Sequence, residues 1–412
     1  PRSPGSHPTE LTALVKKAMH VTREDIQAKR SQLGLAAKQG DAGAQCLLGH
    51  MHRAGKGGPL NFAEARRLLG LAAAQGDAEA QYTLGHMHRK GEGGPIDYAE
   101  ARQIYGLAVA QGHAESQHAL GDTYHNGEGG PVDFAEARRL LGLAAAQGDA
   151  VAQCKLGYMH RAGEGGPEDF AEARRLLGLA AAQGHAEAQI VLGTMHRVGQ
   201  GGPKDLAEAR RLLGLAAAQG YAQAQYHLGV MHHNGEAGPK DFADARRLFG
   251  LAAAQGDADA QGMLGRMHHD GEGGPKDLAE ARQLFGLAAA QGDAHAQCML
   301  GVMHGNGEGG PQDLAEARRL LGLAAAQGHA AAQHTLGVLH RDGQGGPVDF
   351  AEARRLFGLA AAQGHAVAQC LLGGMHCKGQ GGPVDFAEAR RLLGLAVAQS
   401  HAAAQYNLGA MH

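Results

Sequence analysis

The chain has 412 residues and a formal charge of -3, with Lys+Arg 38 against Asp+Glu 41. No cationic excess is available to neutralise a phosphate backbone, so nucleic acid is not an expected partner. The longest apolar runs are of the Leu-Gly-Leu-Ala-Ala-Ala kind, far short of the roughly 20 residues that cross a bilayer, and direct membrane insertion is not expected.

Residues 1–24 read as an N-terminal extension with a short capping helix. Their apolar stretch, Leu11 to Val15, is too short for a secretory h-region. The chain opens on Pro1 rather than Met and stops at His412 in mid-motif, which points to a processed chain or a fragment. From Asp25 onward one pattern persists. Pro59, Pro95, Pro131, Pro167, Pro203, Pro239, Pro275, Pro311, Pro347 and Pro383 are each 36 residues apart. The segment from Asp25 to Met51 fits the same pattern without a leading proline, giving about eleven units. A period of that size marks a solenoid, in which each unit buries its apolar face only against its neighbours.

Pro95 to Gly130 serves as the type unit. Asp97 stands three residues before Glu100, the spacing of a capping box, so a helix is predicted to start there with both side chains capping amides. Tyr98, Ala101, Ile104, Tyr105, Ala108 and Val109 make a stripe of helical period, and Gly112 is a suitable stop. This arginine helix is followed from about Ala114 by a histidine helix carrying Gln117, Leu120, Gly121 and Tyr124 on one face and ending at Asn126-Gly127. The short turns between them require antiparallel neighbours. One pair buries too few large side chains to offset its ordering entropy, so stacking must supply the rest. The recurrent small residues, Gly70, Gly85 and the Ala72-Ala73-Ala74 run, are expected at close helix contacts.

Ala80-Gln81, Leu84-Gly85, Met87-His88, Gly91, Gly93, Asp97, Ala101, Tyr105, Ala108 and Gly112 resemble the Sel-one-like repeat, a branch of the tetratricopeptide superfamily, and the likeness extends over residues 25–412. The sequence departs from that pattern by placing His where the family usually has Tyr, as at His52, His88 and His160, and Gly-Pro where it has Val after the Gly-rich turn. Tyr124 keeps the family residue. The resemblance implies an all-α fold, a right-handed α-solenoid superhelix of about eleven 36-residue antiparallel helix pairs. It further implies a non-enzymatic adaptor whose concave surface is lined by the histidine helices.

Ten histidines, His52, His88, His160, His196, His232, His268, His304, His340, His376 and His412, share one column. Equivalent helices should lie about 8 to 10 Å apart, whereas two imidazoles on one zinc need nitrogens within about 3.5 Å, so packing is the expected role. His113, His185, His329, His365 and His401 alternate with Asp41, Asp77, Asp149, Asp257 and Asp293 where the histidine helix begins, and are expected to be caps or solvated ends. Cys46, Cys154, Cys298 and Cys370 lie two to four repeats apart, too far for a disulfide, which favours a reducing intracellular compartment. The Gly-Glu-Gly-Gly-Pro loops lack the Lys-Ser/Thr of a phosphate cradle and lie between two helices. No metal, cofactor or catalytic residue is expected, because the available acids and bases recur in every unit while an active site is one asymmetric constellation.

Variation between units is concentrated in three columns of the histidine helix. The first begins Cys46, Tyr82, His118, Cys154, Ile190; the second His50, His86, Asp122, Tyr158; the third Arg53, Arg89, His125, Arg161. Spacings of four and three put them on one side of the helix. Their diversity reads as recognition rather than packing, because Glu64, Arg66 and Arg67, taken as exposed on the arginine helix, scarcely vary. The expected protein-binding residues are Tyr82, His86, Arg89, His118, Asp122, Tyr158, Arg161, Tyr226, Arg266 and Arg341, since Tyr and Arg dominate interface hot spots. The expected function is a scaffold or adaptor for protein or peptide partners, and the alternative is an architectural subunit bracing a larger complex.

Overall fold

The computed structural model describes residues 23–410; of the extension 1–24, with its expected capping helix, residues 1–22 lie outside them, as does the last histidine of the column, His412. Among the described residues there are twenty-two helices and no strand. They form two compact units, one ending at Asp205 and the other beginning at Leu206. Within each unit arginine and histidine helices alternate, and each packs on its neighbours in sequence.

The arginine helix Phe62–Ala74 buries Ala65, Leu68, Leu69, Ala72 and Ala73. The histidine helix Ala78–Lys90 buries Ala80, Gln81, Thr83, Leu84, Gly85 and Met87. Leu69, Leu84 and Met87 meet Cys46 from the preceding repeat and Ile104 from the following one, so each piece of core is built by three successive repeats. The second unit repeats the arrangement around Phe285, Leu300, Met303 and Leu320. This is why a lone pair has no core of its own.

Small residues divide into two kinds. A Cβ at Gly85 would lie 2.7 Å from the Tyr105 ring, and one at Gly337 2.7 Å from Phe357, so these glycines permit the close approach of histidine and arginine helices. Gly70 has no such reason to recur. A Cβ there would meet nothing within 4 Å, contrary to the expected contact.

Helix starts other than that of Ala222–Asn234 are generally capped by a side chain, though not reciprocally. The Asp97 carboxylate accepts the Glu100 amide at 2.9 Å, but the Asp97 amide donates to the His88 carbonyl at 2.9 Å and so closes the Gly-rich loop. The first-turn glutamate turns instead to the arginine three residues on, as Glu64 does to Arg67 at 2.7 Å. Histidine helices start on Asp77, whose carboxylate accepts the Ala80 amide at 2.8 Å, or on histidines such as His113, which accepts the Ser116 amide at 3.3 Å. They stop on left-handed glycines, for example Gly127 at φ 70, a conformation that L side chains avoid.

A glutamine relay ties the stack together. Buried Gln81 donates its side-chain amide to the Ala73 carbonyl at 3.1 Å and accepts one from Gln111 at 2.8 Å. In the second unit Gln261 bonds Ala253 at 3.3 Å and Gln291 at 2.9 Å. Each buried amide is thereby satisfied on both ends, which makes a polar side chain a requirement of this core rather than a defect in it.

Candidate interaction surface

The histidine column is held by the first arginine of each pair. Arg66 Nη2 lies 2.6 Å from His88 Nδ1; the corresponding distances are 2.8 Å for Arg246 and His268, 2.7 Å for Arg282 and His304, and 2.7 Å for Arg354 and His376. Guanidinium is donor only, so the ring nitrogen must accept and the imidazole is neutral. Burial first, and the adjacent guanidinium second, push these histidines below their ordinary pKa. The same arginines donate to loop carbonyls, Arg246 to Pro275 at 3.3 Å and Arg282 to Pro311 at 3.2 Å. Where Tyr124 stands in the histidine's place, Arg102 sits 3.8 Å above its ring. Arg66 is therefore a half-buried clamp rather than an exposed residue. Arg138, which bonds His160, is another, whereas the second arginine, such as Arg67 or Arg139, faces solvent.

The first variable column is a packing column, which corrects the reading of its diversity. Cys46, Cys154, Ile190, Cys298 and Cys370 are buried, and none of the five cysteines forms a disulfide among the described residues. The larger members pack on the next arginine helix: Tyr82 lies 6.1 Å from Tyr105, Tyr226 5.9 Å from Phe249 and His334 6.1 Å from Phe357, ring centre to ring centre. Thiols face leucines instead, Cys46 with Leu69, Cys298 with Leu321 and Cys370 with Leu393. Gly262, which stands at the same register from Phe285, breaks this pairing by size. His118 is held by Asp149 at 3.1 Å.

The third column staples each repeat to the loop of the next. Arg53 bonds Glu92 at 2.6 Å, Arg89 bonds Glu128 at 2.6 Å, and His125, His233 and His269 reach Glu164, Glu272 and Glu308 at 3.0, 2.9 and 3.1 Å. Where the loop residue is Gln200 or Gln380 the arginine is released. Arg161 is exposed and makes no hydrogen bond or ion pair among the described residues, and Arg341 turns to Asp342 at 2.6 Å.

The second column is half-buried throughout. His86 lies 3.1 Å from Arg53, Lys155 holds Asp122 at 2.5 Å, and the Tyr158 hydroxyl donates to Glu187 at 3.0 Å. Arg266 makes no hydrogen bond or ion pair among the described residues. These residues meet in grooves between consecutive histidine helices. Asp122, His125, Lys155 and Tyr158 line one of about 250 Å³; Tyr226, Gly262, Met263 and Arg266 line one of about 260 Å³ in the second unit.

The Sel1 repeat family model matches residues 42–77, 78–113 and onward in unbroken steps to 366–401, then 402–412. The chain belongs to the Sel1 repeat family. The model's frame pairs each histidine helix with the arginine helix that follows it, the pair in closest contact here. Among solved structures, a protective antigen present in uropathogenic Escherichia coli strains, described as displaying an SLR fold, is 29% identical at TM-score 0.87, over 97% of this chain and 90% of that one. A Sel1 repeat protein from Oxalobacter formigenes is 32% identical at TM-score 0.60, over 75% and 89%. Comparison with curated proteins gave no match. Sel1 repeat proteins are generally protein-interaction scaffolds, and the fold is typically non-catalytic. No helix among the described residues of this Sel1 array is long and apolar enough to cross a membrane. The loop glutamates were missed as stapling partners, although the sequence signals them: Glu92, Glu128, Glu164, Glu272 and Glu308 each follow a cationic residue by 39 positions, whereas Gln344 follows Gly305.

Proposed function

We propose that this Sel1 array is a protein-interaction scaffold whose partner segments lie in the grooves between consecutive histidine helices. The observation that carries this reading is the groove of Tyr226, Met263 and Arg266, which Asp259 and Asp293 also line: an aromatic and an apolar side chain beside a guanidinium that makes no hydrogen bond or ion pair among the described residues. Arg161 offers the first unit a second such group. Each suits a carboxylate-bearing peptide, the half-buried Arg266 more than the exposed Arg161, because a charge-assisted bond to a carboxylate is stronger where the guanidinium is partly desolvated, and Tyr and Arg carry much of the energy where proteins meet. Arginines already stapled to loop glutamates, such as Arg89, have less to offer. A photo-crosslinking residue placed at Met263 should capture partner proteins from native extract, and one placed at the solvent-facing Arg139 should not. Capture at position 139 alone would put recognition on the arginine helices and end this reading.

A further inference from the structure

We propose that Cys154, His185 and Glu187 form a binding site for a zinc-type divalent cation. One ligand atom from each of the three lies within 4.8 Å of the other two, so contraction of about 1 Å brings them to the separations of a shared zinc ion. The set comprises a thiolate sulfur, an imidazole nitrogen and a carboxylate oxygen, which favours zinc or cobalt over magnesium or calcium. Three protein ligands leave a fourth position for water.

Register creates this site, and register also explains why it is single. Within each unit the first variable column of one repeat lies beside the cap residue 31 positions on, as the His118 bond to Asp149 and the stacked His334 and His365 rings illustrate, and at Cys154 the residue two beyond the cap joins them. In Cys46, Asp77 and Glu79 the imidazole is missing. In Cys298, His329 and Ala331, and again in Cys370, His401 and Ala403, the carboxylate is missing. Only Cys154, His185 and Glu187 supply all three among the described residues.

The surroundings suit an ion that enters from solvent. Cys154 is 1% exposed, His185 half-buried and Glu187 exposed, so the carboxylate is the entrance and the thiol the floor. The Tyr158 hydroxyl holds the Glu187 carboxylate at 3.0 Å, an outer hydrogen bond of the sort that orients a metal ligand. His185 Nδ1 accepts the Ala188 amide at 3.3 Å, a long capping bond that an ion taking that lone pair would replace. Without an ion the thiol keeps its proton, pushed up to about 12 by burial and by Glu187. Binding therefore displaces one proton from sulfur. Thiolate and carboxylate then balance the dication, which leaves no net charge at the start of helix Ala186–Val198.

Cobalt(II) titration of the chelator-stripped chain tests this, because a thiolate ligand adds a near-ultraviolet charge-transfer band that the chain's many histidines cannot give. The band should saturate at one equivalent, vanish in Cys154→Ser and persist in Cys298→Ser. Glu187→Gln, an exposed substitution that leaves the fold intact, should weaken binding at least tenfold. Ala331→Glu, which completes the set at Cys298 and His329, should add a second equivalent. Absence of the band at saturating cobalt, its survival in Cys154→Ser, or unchanged affinity in Glu187→Gln would each overturn the assignment.

Discussion

Glycine has two opposite meanings within one repeat. At Gly85 the missing side chain is occupied by a neighbour: a Cβ would lie 2.7 Å from the Tyr105 ring, and overfilling a close-packed seam costs about 1 to 3 kcal/mol. At Gly70 a Cβ would meet nothing within 4 Å, while glycine inside a helix costs about 1 kcal/mol relative to alanine. Gly70→Ala should therefore raise the urea midpoint by the equivalent of about 1 kcal/mol, and Gly85→Ala should lower it. The two changes are chemically identical, so the sign reports packing alone. A loss of stability in Gly70→Ala would mean that its open face is covered by something outside this chain. The same distinction separates the paired arginines, since Arg66 clamps His88 while Arg67 merely meets Glu64 on the surface.

Among helices, the start of Ala222–Asn234 stands out. Its cap residue is Tyr221, 49% exposed, whose side chain makes no capping bond, whereas the Asp and His caps elsewhere accept the amide three residues on. Tyr221→Asp should stabilise the protein by about 1 kcal/mol, read as a higher urea midpoint at unchanged slope, with Tyr221→Ala as the control that lacks the acceptor. Helix limits of this kind were legible in the sequence because caps, left-handed glycines and turns are local. The family resemblance and the 36-residue period likewise reached the right fold class. The facing of the histidine helix was not legible to the same degree. Spacing places columns on one face but does not say what lies opposite. The first chosen column faces the next arginine helix, and the exposed positions include residues such as Glu79, Glu115 and Asp259 in the first turn of the histidine helix and Lys90, Asn126 and Asp270 at its end. Invariance is no guide to exposure either, because the constancy of Arg66 comes from the His88 ring 22 residues away.

Across the whole molecule the clamps act in the same direction when pH changes. His52, His88, His160, His232, His268, His304, His340 and His376 all sit below the ordinary value of 6.5, through burial and the arginine beside each. His334, half-buried beside His365, is lowered to about 4, by loss of solvent first and by His365 second. A histidine whose folded pKa is depressed binds its proton more readily when unfolded. Its stabilising contribution is therefore complete above pH 6.5 and is lost as pH falls from 6.5 through the folded value. Two histidines oppose this. Burial lowers His125, but its hydrogen bonds to Asn126 and Glu164 raise it on balance, and His269 is raised by Asp270 and then Glu308, so they add stability that is complete below pH 6.5 and lost as pH rises through their folded values. Eight clamps against two staples make the balance negative on acidification. The urea midpoint should thus be clearly lower at pH 5.5 than at pH 7.5, with helical content unchanged in the absence of denaturant at the higher pH. The chain itself supplies a replacement that does not titrate in this range, for Tyr124 takes the histidine position beneath Arg102. His160→Tyr and His304→Tyr together should narrow the gap between the two midpoints, because each removes one clamp that protonation opposes. An equal gap in that double variant would trace the acid sensitivity to groups other than the column.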